Sequence, residues 1–193
     1  FTNCVRMRSV NLSKFDTSKV RNLASMFQGC AALEEASMDS FDTSRVTNMA
    51  NMFNGCTSLR IMNLSKFNVG SCSSFASLFQ GCTRLNTVII NEWSLSTGGD
   101  INMTSMFNGC SQLKTIFVGD GWVASRIGAS STMFTGCASI VGGTGVTLGS
   151  AVDKSMATGD GYMTLADVVI AYHYMNYDAS PLVPEYRGYD AGV

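Results

Sequence analysis

Apolar residues fall along this chain in a pattern that returns every 26 to 28 positions. Leu33, Ala36, Met38 and Phe41 recur as Leu59, Met62, Leu64 and Phe67, and again as Leu85, Val88, Ile90 and Trp93. The second and third of these slots are two residues apart and share one strand face while the residue between them turns to the other, so each copy predicts one short half-buried strand. A second run, Val20, Leu23, Met26 and Phe27, is repeated as Val46, Met49, Met52 and Phe53. Its spacing predicts a short helix with one buried face, which at this length persists only through packing. Asp16-Thr17-Ser18 and Asp42-Thr43-Ser44 precede these runs and offer N-cap oxygens.

Each helical stretch ends in a five-residue signature: MFQGC at 26–30, MFNGC at 52–56, LFQGC at 78–82, MFNGC at 106–110 and MFTGC at 133–137, with FTNC at 1–4. The glycine sits where a helix end needs a left-handed residue, and the first copy has Asn3 there, the next-best residue for that conformation. Such self-similarity marks a tandem array in which each copy is one coil. The leucine spacing is that of leucine-rich repeats, with an aromatic closing the pattern. The expected fold is therefore an α/β repeat solenoid of leucine-rich-repeat type: one short strand per coil in a parallel sheet, and short helices on the other side. The repeat covers residues 1–137 as about six coils, the first truncated, and periodicity stops after Cys137. Residues 138–158 read as a segment closing the exposed core end, and 159–193 as a separate tail.

Composition narrows the function. Thirteen basic residues against fourteen acidic ones leave no electrostatic footprint for nucleic acid or anionic membrane, and no transmembrane run is visible. The chain begins inside a repeat, at Phe1, so the lack of a signal peptide there is uninformative.

The cysteines Cys4, Cys30, Cys56, Cys82, Cys110 and Cys137 occupy one slot of the coil. Equivalent side chains of adjacent coils point in parallel, which is poor disulfide geometry. A ladder of buried free thiols follows, and Cys72, in the slot of Val20 and Val46, reads as core. Zinc-type pair spacing and Cys-x-x-Cys are both absent. His173 is the only histidine, so a His-based metal cluster has no basis. Glu34 and Glu35 are adjacent in a strand and point apart, and no Gly-x-Gly-x-x-Gly opens a helix. Neither an enzyme nor a resident cofactor is expected.

The outward side of the sheet is the expected binding surface. Ser9, Glu35, Ile61, Thr87 and Thr115 form one column in register, and Asn11, Ser37, Asn63, Ile89 and Phe117 the next. One end is polar. At the other, Ile61, Ile89 and Phe117 make an apolar patch that either meets a partner, alongside Asn63, Thr87 and Thr115, or lies under a loop or the tail.

The block from Leu59 to Phe79, with its Leu-x-x-Met-x-Leu-Ser-x-Phe strand, and the motif Phe-Asp-Thr-Ser-x-Val-x-Asn at 15–22 and 41–48 resemble the 26-residue repeats of BspA-like leucine-rich-repeat bacterial surface proteins. The resemblance implies an extracellular or cell-surface protein, adhesin-like, binding a protein or glycan on host or neighbouring cells. The later coils depart from the pattern through an insertion at 94–100 and an aromatic shifted at Gly121-Trp122. The tail, from Gly159 to Met175, is similar to the calcium loop and helix of a dockerin. That likeness implies calcium ligands at Asp160, Thr164 and Asp167 and a cohesin as partner. Met156 and Thr158 stand where acidic or amide ligands belong, and the other reading of 162–177 is an amphipathic capping helix.

Overall fold

The structure, a computed structural model, describes residues 1–95, 100–142, 155, 157 and 164–165. The elements are strands β1 (Ser9–Asn11), β2 (Glu35–Ser37), β3 (Ile61–Asn63), β4 (Thr87–Ile90), β5 (Ile101–Asn102), β6 (Thr115–Val118), β7 (Ile127–Ala129) and β8 (Thr164–Leu165). Strands β1 and β2 pair in parallel; β3, β4, β6 and β8 form a second parallel ladder. The columns Ile61–Thr87–Thr115 and Asn63–Ile89–Phe117 are in register across β3, β4 and β6, as the alternation predicts. On another side of the coil a further row of parallel bridges joins Asn22, Asn48, Ser74 and Asn102, continued by β5 and β7. The fold is a parallel-strand β-solenoid.

The expected short helices are absent from the described residues, where residues 1–142 hold one helical element, a 3-10 turn at Ala124–Arg126. The backbone hydrogen bonds of residues 23–30 give the reason. The N–H groups of Leu23, Ser25, Phe27 and Gly29 leave their own coil and donate to the carbonyls of Asn48, Ala50, Met52 and Asn54 at 2.7–2.9 Å. The alternate groups, Met26, Gln28 and Cys30, close tight turns on Leu23, Ser25 and Phe27 at 3.0–3.2 Å. Half of the donors thus bond between coils, where an α-helix would keep all of them within its own segment. The apolar spacing of three deceives because a chain of tight turns also returns a side chain to one face about every third residue.

The turns Leu23–Met26 and Phe27–Cys30 each need a left-handed third residue. Glycine supplies it in the second: Gly29, Gly55, Gly81, Gly109 and Gly136 have φ of 72–78°, and Asn3 has 60°. The left-handed reading of that slot holds, although the residue sits in a turn and does not end a helix. In the first turn the same role falls to Ser25, Asn51, Ser77, Ser105 and Thr132, at φ of 56–59°. The supposed N-cap oxygens also serve turns. Asp16 and Asp42 accept the N–H of Ser18 and Ser44 at 3.0 Å, and these serine contacts hold both carboxyls below the usual carboxylate range.

One core runs along the axis. Phe1, Phe27, Phe53, Phe79, Phe107 and Phe134 form a continuous stack with ring centroids 5.5–5.8 Å apart and planes within 10°. Beside it, each ladder thiol donates to the phenylalanine carbonyl of the preceding coil: Cys30 to Phe1, Cys56 to Phe27, Cys82 to Phe53, Cys110 to Phe79 and Cys137 to Phe107, at 3.0–3.2 Å. Those thiols are free and buried, as is Cys72; Cys4 is free but exposed. Burial pushes Cys56 and Cys137 up to about 12 and Cys72 to about 11, the direction expected of inert structural thiols.

Beyond Cys137, Trp122 Nε1 donates to the carbonyl of Ala157 at 2.9 Å, and Ala157 lies in the core. Strand β8 pairs with β6, Phe117 opposite Thr164. Residues 96–99 of the insertion at 94–100 and most of the tail fall outside the described residues.

Candidate binding faces of the solenoid

Strand alternation places Met62, Val88 and Ile116 in the core and turns their neighbours away from it. The outward column nevertheless differs from the expected open patch. Ile89 and Phe117 are 0% and 3% exposed, Thr87 is 1%, and all three lie outside the solenoid's core cluster. Ile61, Asn63 and Thr115 are half-buried. Next to them, Phe117 is paired with Thr164 of β8. The expected apolar patch is thus inaccessible at Ile89 and Phe117 and partly accessible at Ile61.

What remains open on the strand side is polar. Ser9, Asn11 and Glu35 are exposed, and beside them Arg8 pairs with Glu34 at 3.5 Å. Further along, Lys66 donates to Glu92 at 2.8 Å. Next to that pair is a shallow concavity of about 310 Å³, lined by Ser65, Asn68, Gly70 and Ser94 among others. Both ion pairs are solvent-facing, so they contribute little to stability and leave their charges available.

Of the calcium ligands inferred for the tail, only Thr164 is among the described residues. Asp160 and Asp167 lie outside the described residues, as does His173. Thr164 is in β8, which pairs with β6. Among the described residues no three His, Cys, Asp or Glu side chains converge as a metal site would require.

The opposite, turn-rich side of the coil escaped the sequence reading. There Ala24, Ser25 and Gln28 and their counterparts in later coils stand half-buried at the surface, with Ser131 and Thr132 of the last coil exposed. Asn54 Nδ2 donates to Asn51 Oδ1 at 3.0 Å and to Gln80 Oε1 at 3.3 Å, and the hydroxyls of Ser105 and Thr132 meet at 2.7 Å. The signal in the sequence is the lack of charge between each bridge residue and its ladder cysteine, which a helical reading of these stretches conceals.

No helix of the described residues is long and apolar enough to cross a membrane. No curated protein matches the chain. A family model matches at residues 1–118 and 63–144, which span the whole array of coils. The chain is thus a repeat solenoid that belongs to the family described as Mycoplasma protein of unknown function, DUF285.

Proposed function

We propose that this protein is a non-enzymatic, extracellular or cell-surface binding protein, adhesin-like, that offers its solenoid faces to protein or glycan partners. The observation that carries the reading is the architecture itself: hydrogen-bonded coils stacked on a continuous core, which hold rows of exposed side chains at fixed spacing. The BspA-like character of the repeats supports a surface location.

The strand side would act through its open polar end, Arg8, Ser9, Asn11, Glu34 and Glu35. Whole chain carrying Arg8→Glu and Glu35→Lys should lose binding to matrix proteins or intact cells while unfolding at the wild-type midpoint. Undiminished binding by that folded variant would remove the strand face from the reading. Anchoring through a dockerin-like tail to a cohesin is the alternative, and it rests on the likeness of residues 159–175 alone. Calcium-dependent capture of a cohesin by the whole chain would support it.

A further inference from the structure

The ten-residue stretches 22–31, 48–57, 74–83, 102–111 and 129–138 contain no Asp, Glu, Lys, Arg or His, in a chain that is 14% charged. Core packing does not demand this. Within each stretch only the inward positions, such as Leu23, Phe27 and Cys30, are buried; most of the others are partly accessible to solvent. Surface positions of that kind ordinarily accept lysine and glutamate. The strand side of the same coils does so, at Arg8, Glu34, Glu35, Lys66 and Glu92. Exclusion of charge is thus a property of one face.

That face is also flat, ordered and periodic. A Cβ at Gly55 or Gly81 would lie 3.7–3.9 Å from the Cα of the glycine one coil before, so the glycines stack and nothing projects between coils. The column Gln28, Asn54, Gln80, Asn108 and Thr135 runs beside them, half-buried throughout. Its members donate and accept hydrogen bonds without carrying charge. The contacts from Asn54 to Asn51 and Gln80 hold part of the array in place before any partner arrives.

We propose that this turn face binds a linear neutral polysaccharide laid along the solenoid axis. A neutral surface matches an uncharged ligand, and amide and hydroxyl columns complement the donor-and-acceptor hydroxyls of a sugar. Translational repetition of one chemistry, at roughly the 4.8 Å step of a parallel ladder, suits a polymer that itself repeats. Each coil then offers a similar weak subsite, and affinity accumulates with ligand length. This reading is separate from the strand-face reading and uses different residues.

The test is affinity electrophoresis and calorimetry of the whole chain against β-glucan, mannan and chitin oligomers of increasing length, with dextran sulfate as the anionic counterpart. The expected result is binding to at least one neutral polymer, strengthening with length and unchanged between low and high salt. Gln80→Glu combined with Asn54→Asp should weaken it at least about tenfold, the order of one or two hydrogen bonds. Arg8→Glu with Glu35→Lys should leave it unchanged. If the acidic pair lowers the unfolding midpoint, Gln80→Ala with Asn108→Ala replaces it and should weaken binding likewise. Failure of every neutral polymer to bind, salt-sensitive binding to dextran sulfate alone, or full binding by a folded turn-face variant would each overturn the proposal. Inhibition of ice growth without polysaccharide binding would also overturn it and reassign the array.

Discussion

Two sides of the same coil differ in what they hold constant. The turn side repeats its backbone closely in successive coils: donors to the next coil, tight turns, a left-handed Ser, Asn or Thr, and a left-handed glycine four residues on. The strand side keeps only its inward positions. Its outward column passes from exposed Ser9 and Glu35 through half-buried Ile61 to buried Thr87, and the next ends in buried Ile89 and Phe117. Where backbone geometry is demanding, the side chains allowed are few and the sequence repeats. Where extended strands stack, any outward residue fits, and the surface is free to diverge from coil to coil.

The sharpest way to break this comparison is at the buried end of the strand side. Ile89→Asp would place an unpaired charge at a position that is 0% exposed. The expected loss is about 3–5 kcal/mol, read as a fall in the urea midpoint. A variant that unfolds like wild type would show that Ile89 faces solvent, and the strand side would then be open along its whole length.

Next in size is the turn side's glycine. Gly55 has φ of 75°, while a Cβ there would meet only ordinary contact with Gly29. Strain, and not collision, is what valine introduces, so Gly55→Val should destabilise by about 1–3 kcal/mol. An unchanged midpoint would contradict the left-handed backbone on which the turn register depends.

The thiol ladder predicts a pH dependence. Burial raises Cys56 to about 12, so its thiol stays neutral in the folded chain at pH values where the unfolded chain ionises. A group whose folded value is raised contributes its full stability below the unfolded value and loses it as pH rises towards the folded one. Stability should therefore fall above about pH 8.5 and go on falling towards 12. Between these limits the wild-type slope should exceed that of Cys56→Ala by about 1.4 kcal/mol per pH unit. Urea titrations at pH 8, 9 and 10 measure the difference, and parallel slopes would mean that the thiol is hydrated.

Much of the solenoid was legible in the sequence. The cysteine spacing set the coil length, strand alternation placed Met62, Val88 and Ile116 inward, and Gly29 with Asn3 announced the left-handed slot. The helices were misread because three-residue apolar spacing is common to an amphipathic helix and to consecutive tight turns. The difference lies in whether N–H groups bond within a coil or to the next, which apolar spacing does not record. Burial of Ile89 and Phe117 was equally hidden, since alternation tells which way a residue points but not what packs over it. The charge-free stretches were readable throughout, and only the helical assignment concealed that they formed one face.

The smallest expected effect separates backbone from side chain on the turn side. Ser77 holds φ of 56° without being glycine, a conformation that costs an L-residue about 1–2 kcal/mol. Ser77→Gly removes that cost but adds about 0.5–1 kcal/mol of unfolded-chain freedom. The first term equals or exceeds the second, so stability should stay constant or rise by up to about 1.5 kcal/mol. A clear fall would mean that the serine side chain itself stabilises the coil, and the recurrence of Ser, Asn and Thr in this column would then follow from folding. If the midpoint holds, the backbone alone is indifferent between glycine and serine. The preference for a hydrogen-bonding side chain at Ser25, Asn51, Ser77, Ser105 and Thr132 must then serve what the face touches.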